Sequence, residues 1–206
     1  MYLAKTPEAV KPFAADLVWN FSRTEKSIYL TFDDGPTTGV TDVVLEILRE
    51  HNALATFFCI GGNVRKNPGL FRQIQDSGHS VGNHTWNHMN GWKFSNYSYY
   101  RNVLECSDWV NSTLFRPPYG RITRAQVKTL KKRFSIVMWD VLSGDWKADL
   151  HPEKCLLNVI SNAGKGSIIV FHDSLKAEKN VLYALPKTLR HYADLGYAFK
   201  AIPQTA

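Results

Sequence analysis

The chain has 206 residues and a formal net charge of +7, with 44% hydrophobic and 21% charged residues. These values are typical of one globular domain and exclude a disordered chain, a collagen-like fibre and a coiled coil. A domain of this size buries about 70% of the surface of its unfolded chain, so it needs no disulfide or structural metal to fold. The three cysteines form no CxxC pair, which excludes a thiolate zinc site.

Short β-rich runs alternate with longer amphipathic segments. Runs such as IVMW and IIVF are typical of strands buried on both faces. The alternation predicts a single-domain α/β fold with a parallel sheet, either closed into a barrel or open and doubly wound. Residues 1–25 are predicted to be a peripheral N-terminal segment, and no linker divides residues 26–206. In chain order the predicted strands are 27–32, 55–60, 80–83, 114–116, 135–139, 167–171 and 197–202, and the predicted helices are 40–51, 68–77, 97–110, 123–132, 152–163 and 181–195.

Nearly every predicted strand ends in polar residues that can carry chemistry. In a parallel α/β barrel the functional residues lie where strands end and helices begin. Charged groups gathered at one rim are costly unless they are paired or bound to a metal. The residues at these ends are Asp33, Asp34, His84, His88, Arg116, Tyr119, Asp140, Asp145, Trp146, His172 and Asp173.

Two of these groups suggest a metal centre. His84 and His88 have the i, i+4 spacing that places two imidazoles on one face of a helical turn, although two solvated histidines would show it too. Asp33 and Asp34 are consecutive, so they point to opposite sides of an extended strand end. One carboxylate can then bind metal while the other does acid–base work. A simple turn would explain Asp-Gly-Pro at 34–36 but not the preceding Asp33.

Five motifs in this order resemble those of the polysaccharide deacetylases, the NodB-like domain of carbohydrate esterase family 4. They are TFDDGP at 31–36, HTWNH at 84–88, RPPYG at 116–120, DW at 145–146 and VFH at 170–172. The resemblance covers about residues 26–202. It implies a distorted (β/α) barrel of seven or eight strands, and it identifies residues 26–206 as the catalytic domain.

The resemblance also implies a cofactor, one divalent metal ion held by Asp34, His84 and His88. Zn²⁺ is the expected ion, with Co²⁺ or another divalent ion as alternatives. The substrate implied is an N-acetylated amino sugar in a polysaccharide or oligosaccharide, peptidoglycan-like or chitin-like, from which the acetyl group is removed by hydrolysis of its amide bond.

The remaining motif residues receive roles by the same resemblance. Asp33 is expected to be the general base and His172 the general acid. Arg116 is expected to keep Asp33 ionised, and Asp145 to orient and charge His172. The backbone N–H of Tyr119 is expected to stabilise the oxyanion. Trp146 and Val170 are expected to line the acetyl pocket together with Tyr119.

Two positions depart from the family pattern. The fifth motif usually has Leu where this chain has Val170, which enlarges the expected acetyl pocket. The fourth motif often has an acidic residue at the position of Leu142, which leaves Asp140 without an assigned role. Neither departure removes a catalytic group. The aromatic residues that follow His88 fit either stacking against sugars or packing on the barrel; they are Trp92, Phe94, Tyr97, Tyr99 and Tyr100.

Three alternative hypotheses apply to this sequence. The same fold and metal could hydrolyse another small amide or an O-acetyl ester. A non-catalytic carbohydrate-binding protein is disfavoured because all five motifs are complete. Nucleic-acid binding rests on net charge alone, since the basic residues are spread along the chain; the prediction is no nucleic-acid partner.

We also expect a monomer. The sequence predicts no membrane span, because no stretch approaches about 20 consecutive apolar residues. The first 20 residues lack the apolar run of a signal peptide. We therefore expect a cytoplasmic protein if the N-terminus is native; the alternative is an exported protein whose signal is absent from this sequence.

Overall fold

The apolar runs of the sequence form parallel strands of one sheet that curls into a distorted (β/α) barrel, as predicted. The computed structural model describes residues 3–204, so residues 1, 2, 205 and 206 of the two predicted segments lie outside the described residues. The strands are β1 (Ser27–Asp33), β2 (Ala55–Cys59), β3 (Ser80–Asn83), β4 (Leu114–Phe115), β5 (Ser135–Ile136), β6 (Val141–Leu142), β7 (Ser167–His172) and β8 (Ala198–Phe199).

The helices follow the strands around the outside of the sheet. Val44, Leu45 and Leu48 form the buried stripe of the first helix, which packs on the sheet core. The prediction omitted the short second helix, because six residues that begin with two glycines carry no periodic pattern. The helices are α1 (Thr41–Glu50), α2 (Gly61–Lys66), α3 (Pro68–Asp76), α4 (Asn96–Ser107), α5 (Arg124–Leu130), α6 (Pro152–Ile160) and α7 (Glu178–Asp194). Among the described residues, no helix is long and apolar enough to cross a membrane.

Strand β1 lies at the centre of the sheet, between β2 and β7. The order is β5-β4-β3-β2-β1-β7-β6, with β8 beside β1, and each pairing is parallel. The register sets Asp33 beside His172. Because parallel strands end at the same edge, the polar residues that follow β1, β3 and β7 meet there.

The predicted strand 135–139 is corrected by the structure. The chain pairs with β4 through β5, crosses the gap between the two edges of the sheet, and pairs with β7 through β6. At the start of the crossing Val137 N donates to Phe115 O (2.8 Å), and at its end Asp140 N donates to Ile168 O (3.0 Å). One apolar run therefore serves both edges, which partly closes the barrel.

The described part of the N-terminal segment lies across this crossing. Leu142 N donates to Ala4 O (2.9 Å), and Met138 N donates to Val18 O (2.7 Å). The segment thus supplies carbonyl acceptors to backbone groups that neither sheet edge pairs.

Asp140, without a role in the sequence analysis, anchors that segment. Its fully buried carboxylate accepts hydrogen bonds from Lys5 (2.9 Å), Lys11 (2.8 Å), Arg23 (3.0 Å) and the Ser167 hydroxyl (2.6 Å). A buried carboxylate is costly unless it is paired, and here three cations from the N-terminal segment pair with it. Asp140 is therefore a structural residue of the barrel closure.

Candidate active site

Two histidines and one aspartate meet at the carboxyl edge of the sheet. Asp34 directly follows β1, His84 directly follows β3, and His88 lies four residues further on. The Oδ1 atom of Asp34 lies 3.7 Å from His84 Nε2 and 3.3 Å from His88 Nε2. One donor atom from each residue lies within 4.8 Å of the others. The structure therefore brings together the three side chains that the resemblance assigns to a metal.

The donor atoms of this cluster fit a divalent cation. Asp34 Oδ1 is buried and has no hydrogen-bond partner among the described residues, which is rare for a buried polar atom. His84 Nδ1 lies 2.8 Å from the carbonyl oxygen of Arg116; because a carbonyl only accepts, Nδ1 carries the proton and Nε2 presents a lone pair. Burial lowers the pKa of His84 to about 4 and also lowers the pKa of His88. Two neutral imidazoles and one carboxylate are the donor set of a catalytic metal site with open positions.

Asp173 fixes the turn that carries Asp34 through two hydrogen bonds. The backbone φ angle is +85° at Asp34 and +61° at His88, a left-handed conformation that is uncommon outside glycine. The buried carboxylate of Asp173 accepts hydrogen bonds from Gly35 N (3.0 Å) and Thr41 Oγ1 (2.6 Å). A Cβ at Gly35 would overlap this carboxylate. Asp173, which the sequence places at a strand end without indicating a role, thus fixes the backbone beside a candidate ligand.

Asp33 and Arg116 form a buried ion pair beneath the cluster. Arg116 Nη1 donates to Asp33 Oδ1 at 2.7 Å and to the Thr31 hydroxyl at 2.7 Å. The other guanidinium donors reach the backbone carbonyls of residues 137–138. Burial alone would raise the pKa of Asp33, but the positive charge and the hydrogen bond of Arg116 hold it below its ordinary value. Asp33 is therefore an ionised carboxylate at neutral pH.

His172 is held and charged by Asp145. Asp145 Oδ1 lies 2.8 Å from His172 Nδ1, and Asp145 Oδ2 accepts from the His172 backbone N–H at 2.6 Å. Burial would lower the pKa of His172, but the charge and hydrogen bond of Asp145 outweigh burial and raise it to about 9. The Trp146 ring lies edge-on to this imidazole at 5.0 Å. His172 is thus protonated at neutral pH.

Most of the predicted site residues line one cleft of about 650 Å³. Tyr119 adopts a left-handed backbone with φ +61°, and its hydroxyl lies 3.1 Å from His88 Nδ1. Arg116 and Asp145 are fully buried behind the wall. The predicted residues that line the cleft are Asp33, Asp34, His84, His88, Tyr119, Trp146, Val170 and His172.

Further residues of the cleft were missed by the sequence analysis. Leu142 lies on the wall with Trp146 and Val170, so an apolar side chain at this position extends the apolar part of the cleft. Its position on strand β6 would have indicated that it lines the cleft, but a strand of two residues leaves no pattern in the sequence. The other added lining residues are Arg121, Trp139, Ser174 and Lys176.

A curled parallel barrel with an Asp-His-His cluster at the carboxyl edge of its strands belongs to the class of α/β barrels that do chemistry at strand ends. The family model described as polysaccharide deacetylase matches residues 21–133. The chain belongs to this family.

Relatives of similar length match most of the chain. It is 36% identical over 196 residues to a peptidoglycan-N-acetylglucosamine deacetylase of Bacillus cereus, covering 91% of this chain and 92% of the relative. It is 34% identical over 171 residues to a chitooligosaccharide deacetylase of Azorhizobium caulinodans, covering 79% and 80%. The crystal structure of a peptidoglycan N-acetylglucosamine deacetylase in complex with a benzamide derivative superposes with a TM-score of 0.89 at 30% identity, over 96% of this chain and 95% of that one.

Proposed function

We propose that this protein is a metal-dependent hydrolase that removes N-acetyl groups from amino sugars in a glycan. The observation that carries the proposal is the unpartnered buried Oδ1 of Asp34, facing the Nε2 atoms of His84 and His88 beside an ionised carboxylate. Relatives named as deacetylases of peptidoglycan and of chitooligosaccharides support hydrolysis of the same type of bond, the N-acetyl amide of an amino sugar.

Asp34, His84 and His88 would hold the metal, and Zn²⁺ suits their donor set, with Co²⁺ as an alternative. A bound divalent ion supplies Lewis acidity, which polarises an amide carbonyl and lowers the pKa of a water molecule towards neutrality. Neutral imidazoles are required for this role, and the low pKa of His84, about 4, keeps it neutral above mildly acidic pH.

Asp33 is proposed as the general base. The water oxygen bonds to the acetyl carbonyl carbon while one water proton passes to the Asp33 carboxylate. The ion pair with Arg116 keeps this carboxylate ionised and fixes its direction. The backbone N–H of Tyr119 donates to the carbonyl oxygen as negative charge develops there.

His172 is proposed as the general acid. It gives its Nε2 proton to the sugar nitrogen as the C–N bond breaks, which releases acetate and leaves a free amine. Asp145 holds the charged imidazole in place through its contact with Nδ1. Trp146 and Val170 border the space beside His172 that the acetyl methyl group would enter, and Leu142 lines the same cleft.

The test is release of acetate and of free amine from a panel of acetylated glycans by protein stripped with chelator and then reloaded with Zn²⁺. The panel contains tetra-N-acetylchitotetraose, isolated peptidoglycan strands and an O-acetylated xylo-oligosaccharide. The proposal predicts equal amounts of acetate and amine from an N-acetylated glycan, only after reloading. Acetate from the O-acetylated sugar alone would replace the proposal with an ester hydrolase, and no acetate from any substrate would overturn both.

A further inference from the structure

A second groove opens from the candidate active site. It has a volume of about 600 Å³ and shares His88, Tyr119 and Arg121 with the catalytic cleft, so the two are continuous. Phe94 lines it at 51% exposure, and Trp92, two residues earlier on the same loop, is 63% exposed. Exposed rings beside a site that accepts a sugar provide flat faces for the next sugar. A glycan longer than one residue would therefore extend into this groove.

The walls of the groove are held in place by buried side chains. Asn90, 7% exposed, accepts a hydrogen bond from Trp92 N through its Oδ1 at 3.0 Å. Gln126, fully buried, donates to Gly91 O (2.9 Å) and accepts from Thr123 N (2.9 Å). One buried amide thus joins the loop that carries Trp92 to the segment that follows Arg121. Such preorganisation reduces the entropy lost on binding.

The groove is cationic. Lys93 and Arg121 line it, and no acidic residue does. The guanidinium of Arg121 lies over the Trp92 ring at 5.3 Å from its centre, and Trp92 Nε1 donates to Ile122 O at 3.1 Å. Neither Lys93 nor Arg121 forms an ion pair with any carboxylate of residues 3–204. Two cations therefore line the groove without a counter-charge from the described part of the chain.

We propose that this groove is a subsite for a glycan residue that carries a carboxylate, next to the sugar that is deacetylated. The neighbouring ring packs on Phe94, and its carboxylate accepts hydrogen bonds from Arg121 and Lys93. Arginine donors suit a planar carboxylate, and hydrogen bonds between charged groups are the stronger ones. The inference rests on the proposed function and narrows its substrate class to acidic glycans.

The experiment compares three tetrasaccharides that differ in the substituent carried by alternate sugars. The first alternates N-acetylglucosamine with N-acetylmuramic acid and carries free lactyl carboxylates. The second is the same molecule with the carboxyl groups reduced to alcohols, and the third is tetra-N-acetylchitotetraose. Wild-type protein is compared with Lys93→Gln/Arg121→Gln. The control, Lys187→Gln/Arg190→Gln, removes two exposed cations from α7 and matches the change in net charge.

The proposal predicts that wild-type kcat/KM is about tenfold or more higher for the carboxylate substrate than for its reduced form, the size of one charge-assisted hydrogen bond. The groove variant should lose most of this preference, measured as the ratio of its kcat/KM values on the carboxylate substrate and on the reduced substrate, whereas the control variant should keep that ratio. Equal preference in wild type and groove variant would overturn the subsite, as would an equal loss in the control.

Calorimetric binding of the carboxylate substrate separates the subsite from the reaction. Binding that is weakened by the groove variant, without release of acetate, would retain the subsite and overturn the proposed function. Acetate release, together with equal affinity of the wild type and the groove variant for the carboxylate substrate, would retain the function and overturn the subsite.

Discussion

Arg116 donates a 2.7 Å hydrogen bond to Asp33, and both side chains are buried at the carboxyl edge of the sheet. Removing one partner of such a pair leaves the other charge buried and alone, which typically costs about 3–5 kcal/mol. We therefore expect Arg116→Gln to lower the free energy of unfolding by about that amount and to reduce kcat strongly. Denaturant unfolding measures the free energy, and an acetate-release assay on the folded protein measures kcat.

Arg116→Lys separates charge from geometry. A lysine keeps the positive charge but cannot reproduce the planar donors that reach Asp33, Thr31 and the carbonyls of residues 137–138. Its stability should lie between those of wild type and Arg116→Gln. A glutamine variant as stable and as active as wild type would show that the pair has no such role.

The contact between Asp145 and His172 predicts a pH effect with a defined sign. The pKa of His172 is raised to about 9 because Asp145 outweighs burial. A general acid works only while protonated, so the alkaline limb of kcat/KM should lie near that pKa in the wild type. In Asp145→Asn the pKa of His172 should fall, because a neutral amide opposes the effect of burial less than the carboxylate does. The alkaline limb should therefore move to lower pH with metal content unchanged. A limb that stays in place would disconnect Asp145 from the titrating group.

Asp173 predicts a change in metal affinity. It holds the turn beside Asp34 through Gly35 N and the Thr41 hydroxyl, and groups that orient metal ligands typically change affinity by about 10–100-fold when removed. Asp173→Ala should weaken Zn²⁺ binding by that order in competition with a chromophoric chelator, and Thr41→Val should weaken it less. Asp140→Asn is the control, a buried carboxylate away from the cluster. Equal affinity in all three variants would contradict the positioning role.

Asp140 predicts an acid-sensitive contribution to stability. Burial would raise its pKa, but Lys11, Lys5, Arg23 and the Ser167 hydroxyl together lower it. A lowered pKa stabilises the fold above the ordinary aspartate value of about 4, and this contribution is lost as the pH falls towards the folded pKa. Asp140→Asn should therefore cost about 2 kcal/mol at pH 7, and the loss should shrink in acid. Urea unfolding at pH 7 and pH 3 tests it; a pH-independent loss would contradict it.

Long periodic runs made most of the fold predictable. The apolar residues of β1, β2 and β7 and the stripe on α1 carry strong patterns, and motifs at strand ends identified the cluster of Asp34, His84 and His88. The short elements were not predictable: β6 is two residues, directly after an apolar run that reads as one strand. That crossing depends on contacts with residues 4–6 and 18, far away in sequence.

The same reason explains the site residues that were missed. Asp173 acts through Gly35 and Thr41, about 135 positions earlier in the chain, and the cationic groove joins two loops through Gln126. Contacts of this kind leave no local pattern. The monomeric state, the compartment and the lack of nucleic-acid binding stay predictions.

The central claim is that one metal bound by Asp34, His84 and His88 acts with Asp33 as base. The most direct measurement is a Zn²⁺ titration of chelator-stripped protein, following bound metal and acetate release from an N-acetylated oligosaccharide together. Activity should rise in proportion to metal and stop at one equivalent. Asp33→Asn should bind the same equivalent with turnover lowered by about 100-fold or more, and His84→Ala should bind none. Full activity in stripped protein, or in Asp33→Asn, would contradict the account.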